Sequence, residues 1–214
     1  MRRIHRAKMW NTHAFTTALT LAAFAVCAFT SCSRQPQPER AAKSSAADTA
    51  PAAEPSLYEL TFPLTDKDGG TRHIAEFRGQ PFVASMIYTH CTSVCPRITA
   101  DLQALDRALP PDVRARMRFV LFSLDPERDT PAALQAFARE RSLDTARWTL
   151  LAAGSDDMRT LAAILDVKFR PDAGGEIAHS AVIVVVDRNG VIRHRQAGLT
   201  GDPATLVEAV RAVE

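Results

Sequence analysis

Pro81-Phe82-Val83-Ala84-Ser85-Met86-Ile87-Tyr88 runs directly into Thr89-His90-Cys91-Thr92-Ser93-Val94-Cys95-Pro96. The first part is short and mostly apolar, as suits a strand buried at the centre of a sheet. Pro96 stands where a helix can start, because its fixed φ fits the first turn. Ile98, Leu102, Leu105 and Leu109 then follow at spacings of four, three and four, which is one face of a helix ended by Pro110-Pro111. Two cysteines separated by three residues therefore fall where a buried strand meets its helix. The C-terminal end of such a strand is where open α/β sheets build their sites.

Working outward, Tyr58-Glu59-Leu60-Thr61-Phe62 alternates like a strand, and Asp68-Gly69-Gly70 is a hairpin turn leading to Thr71–Ile74. Downstream, Met117–Leu124 reads as a buried strand and Asp129-Thr130-Pro131 opens a helix carrying Leu134 and Phe137. Trp148–Ala152 reads as a strand, and Ser155-Asp156-Asp157 caps a helix with Leu161 and Leu165 on one side. Pro171–Ala178 reads as a loop. Ala181–Asp187 is the most β-branched run of the chain, and Arg188-Asn189-Gly190 turns it into Val191–Gln196. Thr205–Val213 closes as an amphipathic helix. Strands separated by helices imply parallel pairing with right-handed crossovers, and the last hairpin adds an antiparallel edge. The expected class is α/β: a thioredoxin-like three-layer fold with a central mixed sheet and an N-terminal β-hairpin extension, forming one domain over 56–214.

With 46% hydrophobic and 23% charged residues in 214, the chain has a globular composition, which excludes a rod or a wholly disordered polymer. Its 26 basic and 24 acidic residues are unevenly spread: seven basic and three acidic lie in 1–55, leaving 19 and 21 for 56–214. The folding part is mildly acidic and has no basic field for nucleic acid. Four cysteines are too few for a disulfide scaffold of this size, and Cys27 and Cys32 belong to the N-terminal segment.

That segment reads as an address and a tether. Arg2, Arg3, Arg6 and Lys8 precede an uncharged run from Ala14 to Phe29, the layout of an export signal. The run is short for a membrane span of about 20 residues, although extension to Ser31 keeps a single-span anchor open. Phe29-Thr30-Ser31-Cys32 is similar to a bacterial lipoprotein cleavage site, which would make Cys32 the lipidated residue of segment 1–32. Lipidation, an uncleaved anchor and plain cleavage all place residues 33–214 outside the cytoplasm, in the cell envelope and facing the periplasm or exterior. Residues 33–55 hold four prolines, seven alanines and no larger apolar side chain, the composition of a disordered linker. As a flexible coil it spans roughly 25–30 Å.

Cys95 is expected at a helix N-terminus, where free N–H groups and the dipole favour thiolate, with Cys91 in the preceding loop. Both sulfurs can converge on one point, as a disulfide or as metal ligands. Thioredoxin-like redox enzymes use C-x-x-C; here the spacing is C-x-x-x-C. Such enzymes also usually carry a cis-proline before the later edge strand. Here that entry reads Glu176-Ile177-Ala178-His179-Ser180, so an imidazole takes the place facing Cys91 and Cys95. Two thiolates and one imidazole form a soft three-ligand set that selects Cu(I), with Cu(II) as a further state. A structural zinc site wants four protein ligands. His90 directly precedes Cys91 and should point away from the ligand side; His73 and His194 read as ordinary polar residues. A passive disulfide stays open, as does a redox-active Cys91–Cys95 pair. A peroxiredoxin-like peroxidase is disfavoured, because Tyr88 stands three residues before Cys91, where that chemistry needs threonine.

Tyr88–Pro96, Asp125-Pro126-Glu127-Arg128-Asp129-Thr130-Pro131, and His179-Ser180 followed by a β-branched strand and Asp187-Arg188-Asn189-Gly190 together resemble the Sco/SenC family over about residues 58–213. The resemblance implies a membrane-tethered, thioredoxin-fold copper protein that assists assembly of the copper site of cytochrome c oxidase. It implies Cys91, Cys95 and His179 as copper ligands. The implied partners are the copper-site subunit of the oxidase or another copper protein, and the membrane through the N-terminal lipid or anchor. A thiol-disulfide reductase acting on partner cysteines is the alternative. The chain departs from the family pattern at Thr92-Ser93 between the cysteines and at Ala178 before the histidine. Asp125 and Asp129 are expected to serve turns and helix capping around Pro126 and Pro131, with an acidic contact for a partner or a weak copper-site neighbour as the alternative.

Overall fold

The computed structural model describes residues 54–199 and 202–214. In chain order these form β1 (Leu64–Asp66), β2 (Thr71–Arg72), β3 (Phe82–Ile87), α1 (Val94–Ala108), α2 (Pro111–Arg116), β4 (Arg118–Ser123), α3 (Pro131–Glu140), β5 (Trp148–Ala153), α4 (Ser155–Ile164), β6 (Phe169–Pro171), β7 (Ile177–His179), β8 (Val182–Val186), β9 (Ile192–Ala197) and α5 (Ala204–Val213). Seven strands make one mixed sheet in the order β2-β1-β5-β4-β3-β8-β9, and β6 and β7 form a separate two-stranded ribbon. β3 pairs in parallel with β4 and antiparallel with β8, which makes it an interior strand beside the central β4.

Every residue of β3 and β8 is buried. Successive side chains of a strand point to opposite faces, so both faces of the sheet are covered and the fold has three layers, as in thioredoxin-like proteins. α1 and α5 pack on each other, α1 against β3 and α5 against β8 and β9; α3 touches β1 and β5. At the β9 edge the exposure alternates, which leaves one face to solvent. Across β4 and β5, Phe119 lies opposite Trp148 with ring centroids 4.4 Å apart and nearly parallel planes. Burying two such rings against each other is among the larger apolar contributions a small core contains.

The expected strand over 58–62 does not form. Leu57–Glu59 is a 3-10 turn capped by the Ser56 side chain, which accepts from the Tyr58 N–H. Tyr58 is buried and donates its hydroxyl to the Phe77 carbonyl at 2.9 Å. Pro63 offers no ladder donor, and the first strand starts only at Leu64. The hairpin extension itself is present, β1 pairing with β2 and then antiparallel with β5. Pro110-Pro111 does end α1, yet Pro111 also opens the short α2, where its fixed φ and the following Asp112 suit a first turn. Pro171–Ala178, expected as a loop, contributes to the β6–β7 ribbon.

The turn after β8 ties down the start of the domain. Leu57 N–H donates to the Gly190 carbonyl at 2.8 Å, and Ser56 Oγ donates to the Asn189 carbonyl at 2.6 Å. Gly190 has φ +81°, and a Cβ there would stand 2.5 Å from Ser56 Oγ and 2.6 Å from the Tyr58 ring. Only glycine fits, on grounds of conformation and of space. Among the described residues no helix is long and apolar enough to cross a membrane. The signal-like run, Cys27 and Cys32 lie outside the described residues.

Candidate metal centre

β3 delivers Tyr88 and the loop that follows it to the C-terminal edge of the sheet. Cys91 lies in that loop and Cys95 in the first turn of α1. Ser93 occupies the N-cap without a side-chain bond to the helix. The Cys91 sulfur takes over this task, accepting from the Cys95 N–H at 3.4 Å, so one otherwise unpaired helix N–H fixes the thiol. The Tyr88 N–H donates to Cys95 Sγ, also at 3.4 Å. Both cysteines are free thiols and buried.

His179 ends β7, opposite Phe169 in the ribbon. Its Nδ1 lies 3.1 Å from the Ser180 carbonyl. A carbonyl only accepts, so Nδ1 carries the hydrogen and Nε2 keeps its lone pair. Nε2 is 3.3 Å from Cys95 Sγ. The ligand atoms of Cys91, Cys95 and His179 all lie within 4.8 Å of one another, and they are the one such cluster of three or more potential ligands among the described residues. Three ligands at about 2.2 Å around a trigonal metal ion stand about 3.8 Å apart, so an ion fits with small side-chain movements.

Burial pushes the Cys95 thiol well up, and the neighbouring Cys91 adds to this. The expectation that Cys95 carries the favoured thiolate is therefore corrected: desolvation outweighs the helix terminus. Cys91 is the lowered thiol. Burial opposes its ionisation, but the Cys95 N–H, the Cys95 thiol, the Ser93 N–H and the Tyr88 hydroxyl together hold it below the ordinary value. Burial also lowers His179, against the Ser180 hydrogen bond, so the imidazole is neutral and available as a ligand at pH 7.

His90 turns away from this cluster, as expected. Its side chain is 55% exposed, with Nδ1 3.0 Å from Thr89 Oγ1 and 3.9 Å from Asp129. Asp129 does not cap α3; Thr130 does, accepting from the Ala133 N–H. Asp129 is buried and accepts from the Thr89 N–H at 3.0 Å, the Thr89 hydroxyl at 2.6 Å and the Ser123 hydroxyl at 2.6 Å. It thus pins the loop before Cys91 to the end of β4. Burial raises its pKa, while these donors restrain the rise. Asp125 pairs with Arg128, whose other arm donates to the Gly175 carbonyl in the β6–β7 turn. His73 stands at the start of the 3-10 turn Ile74–Phe77, and His194 lies on β9.

Sequence reasoning missed Tyr88 and Glu176 as parts of the site. The Tyr88 hydroxyl donates to the Glu176 carboxylate at 2.6 Å and accepts from the Ile177 N–H at 3.2 Å. Tyr88 sits inside the cysteine motif, but nothing in the sequence announces a partner so far along the chain.

A buried Cys-x-x-x-Cys pair faced by a histidine, at the strand–helix junction of a thioredoxin-like sheet, defines a class of thiol-imidazole metal-site proteins. The SCO1/SenC sequence model matches residues 50–213, and the chain belongs to that family. It is similar to the SCO1 protein homolog of Bacillus subtilis, at 26% identity over 157 residues that cover 70% of this chain and 79% of the relative. In three dimensions it resembles a SCO1/SenC family lipoprotein from Bacillus anthracis, with a TM-score of 0.66 at 24% identity, covering 77% of this chain and 99% of that one. It also resembles Bradyrhizobium japonicum ScoI with copper bound, with a TM-score of 0.59 at 24% identity, covering 72% and 97%. At these identities the two structures speak for the fold.

Proposed function

We propose that this chain is a copper metallochaperone that takes up one Cu(I) through Cys91, Cys95 and His179. It would pass the ion to the copper-site subunit of cytochrome c oxidase or to another copper protein. The observation that carries the reading is the convergence of two sulfurs and one imidazole nitrogen within 4.8 Å. Thiolates select Cu(I) over harder ions, and a three-ligand set leaves a coordination position through which a partner's ligand can enter. Membership in the SCO1/SenC family and the copper-bound ScoI relative support the same cargo.

The proposal extends to the rest of the chain. Residues 1–32 act as an export signal ending at a lipidated Cys32 or as a membrane anchor, 33–55 as a disordered linker, and 56–214 as the folded copper domain. The domain then works at the membrane surface on the periplasmic or outer side, within reach of membrane-bound recipients. The B. anthracis relative, a lipoprotein, favours lipid attachment.

The test is Cu(I) titration of the reduced full-length protein with X-ray absorption on the product. The expected result is one copper per chain, with two sulfur ligands and one nitrogen ligand. Four sulfur ligands, or no tight binding, would refute the proposal. The lowered Cys91 thiol beside a second free thiol favours a second reading, thiol-disulfide exchange on partner cysteines. In that reaction the Cys91 thiolate attacks a partner disulfide, and Cys95 then releases the partner as a dithiol while the Cys91–Cys95 disulfide forms.

A further inference from the structure

His179 rides on a ribbon whose apolar hold on the rest of the fold is Ile177, buried in the core, and Phe169, packed against it. β6 and β7 have three residues each, pair only with one another, and stand apart from the seven-stranded sheet. An isolated two-stranded hairpin is marginal in water, so its position must come from what it docks against. Two clasps are visible. Arg128 reaches the Gly175 carbonyl from outside. From inside, the Tyr88 hydroxyl bridges the Glu176 carboxylate and the Ile177 N–H, two successive residues of the ribbon.

We propose that Tyr88 is a positioning residue for metal uptake: together with Glu176 it locks the β6–β7 ribbon so that His179 stands over the two cysteines. The inference rests on the copper reading of Cys91, Cys95 and His179. Tyr88 touches every part of the centre. Its backbone N–H donates to Cys95 Sγ. Its carbonyl accepts from the Cys91 N–H at 3.2 Å. Its ring meets the His179 imidazole edge-on, with centroids 5.9 Å apart and an interplanar angle of 67°. The residue directly follows a fully buried strand and is itself 1% exposed, so it is a fixed post. Glu176, by contrast, is exposed and belongs to the ribbon. A 2.6 Å bond from a hydroxyl to a carboxylate is of the short, charge-assisted kind, about twice as strong as a neutral one. It spans 88 residues of sequence and joins the element bearing the cysteines to the element bearing the histidine. Without it the imidazole still exists, but the ribbon must be ordered at the moment of metal binding, which lowers affinity.

The experiment compares full-length wild type with Tyr88→Phe, Glu176→Gln, Glu176→Ala, His179→Ala and the double variant Tyr88→Phe/His179→Ala. Tyr88→Phe removes one oxygen and keeps the ring. The expected result is a Cu(I) affinity about tenfold weaker for Tyr88→Phe and Glu176→Ala, with most affinity retained in Glu176→Gln, which keeps an acceptor. Binding by the double variant should match His179→Ala alone, because a positioning residue has nothing left to position. Nuclear magnetic resonance of the metal-free protein should show the His179 ring signals shifted and broadened by Tyr88→Phe, while far-ultraviolet circular dichroism stays unchanged. Wild-type affinity in Tyr88→Phe, or full additivity with His179→Ala, overturns the inference while leaving the copper reading intact. If wild type binds no Cu(I), the copper reading falls, and unaltered His179 ring signals in metal-free Tyr88→Phe would sink the positioning role separately.

Discussion

The Nε2 atom of His179 stands 3.3 Å from the sulfur of Cys95, although 84 residues separate them in the chain. Cys91 and Cys95 meet through a short local loop; His179 reaches them only across the fold. This difference separates metal handling from disulfide chemistry. His179→Ala is expected to weaken Cu(I) binding by more than about a hundredfold, beyond the usual cost of losing a mere outer partner of a ligand. The Cys91–Cys95 couple should still form and exchange a disulfide, because exchange depends on thiolate fraction and access. Copper affinity, exchange rate and oxidase assembly, all measured on this variant, decide the matter. Normal assembly with copper binding lost would reassign the protein to thiol-disulfide reduction.

The two thiols should also differ in reactivity. Cys91 is held below and Cys95 pushed above the ordinary thiol value of 9.0. A lowered thiol is half ionised at a pKa below the ordinary one, so Cys91 modification should rise with pH and pass half its maximum below pH 9.0. Cys95 should resist alkylation throughout that range in the native state. Iodoacetamide labelling of the reduced protein, read by peptide mass spectrometry from about pH 6 to about pH 10, checks this. Equal rates, or Cys95 reacting first, would contradict the assignment of the hydrogen bonds around Cys91.

Much of this architecture was legible because its signals are local. The apolar run into Cys91, the Asn189-Gly190 turn and the Leu102–Leu105–Leu109 stripe each specify an element within one window, and β3, the β8–β9 hairpin and α1 follow. The convergence of His179 on the cysteines was legible from topology, since a chain returning beside β3 must bring the entry of β8 to the same edge. The thiolate assignment was not legible. A helix terminus and a desolvated pocket act in opposite directions on Cys95, and only the depth of burial decides between them. The alternation over 58–62 misled because Tyr58 has a better use for its side chain, a buried hydrogen bond to Phe77, than a place in a ladder. The ribbon at 169–179 was hidden because its strands are three residues long, below the length at which periodicity can be read.

The tether makes a separate prediction. If Cys32 is lipidated, Cys32→Ala should leave an unprocessed precursor of higher mass, and the wild-type mature protein should carry lipid. More than one acyl chain is needed for stable attachment, and the bacterial lipoprotein modification supplies it. Membrane fractionation with mass spectrometry reads both outcomes. Equal mass for mutant and wild type, with no lipid on the wild type, would favour the uncleaved anchor.

Away from the metal centre, Asp106 should contribute to the acid sensitivity of the fold. It is buried on α1 and accepts from Arg147 at 2.6 and 2.9 Å and from Arg114 at 3.1 and 3.4 Å. Burial alone would raise its pKa, but the two guanidinium groups overcome this and hold it below 3.8. A carboxylate depressed on folding stabilises the native state fully above its unfolded value. That contribution is lost as pH falls below 3.8 and through the folded value. Asp106→Asn should therefore destabilise the protein at neutral pH by about 3 kcal/mol, the low end for breaking a buried pair, since Arg114 can reach water instead. The difference between variant and wild type should shrink steadily as pH is lowered below 3.8. Urea unfolding of both proteins across that range measures it. A difference that stays constant with pH would mean that Asp106 acts through packing and not through its charge.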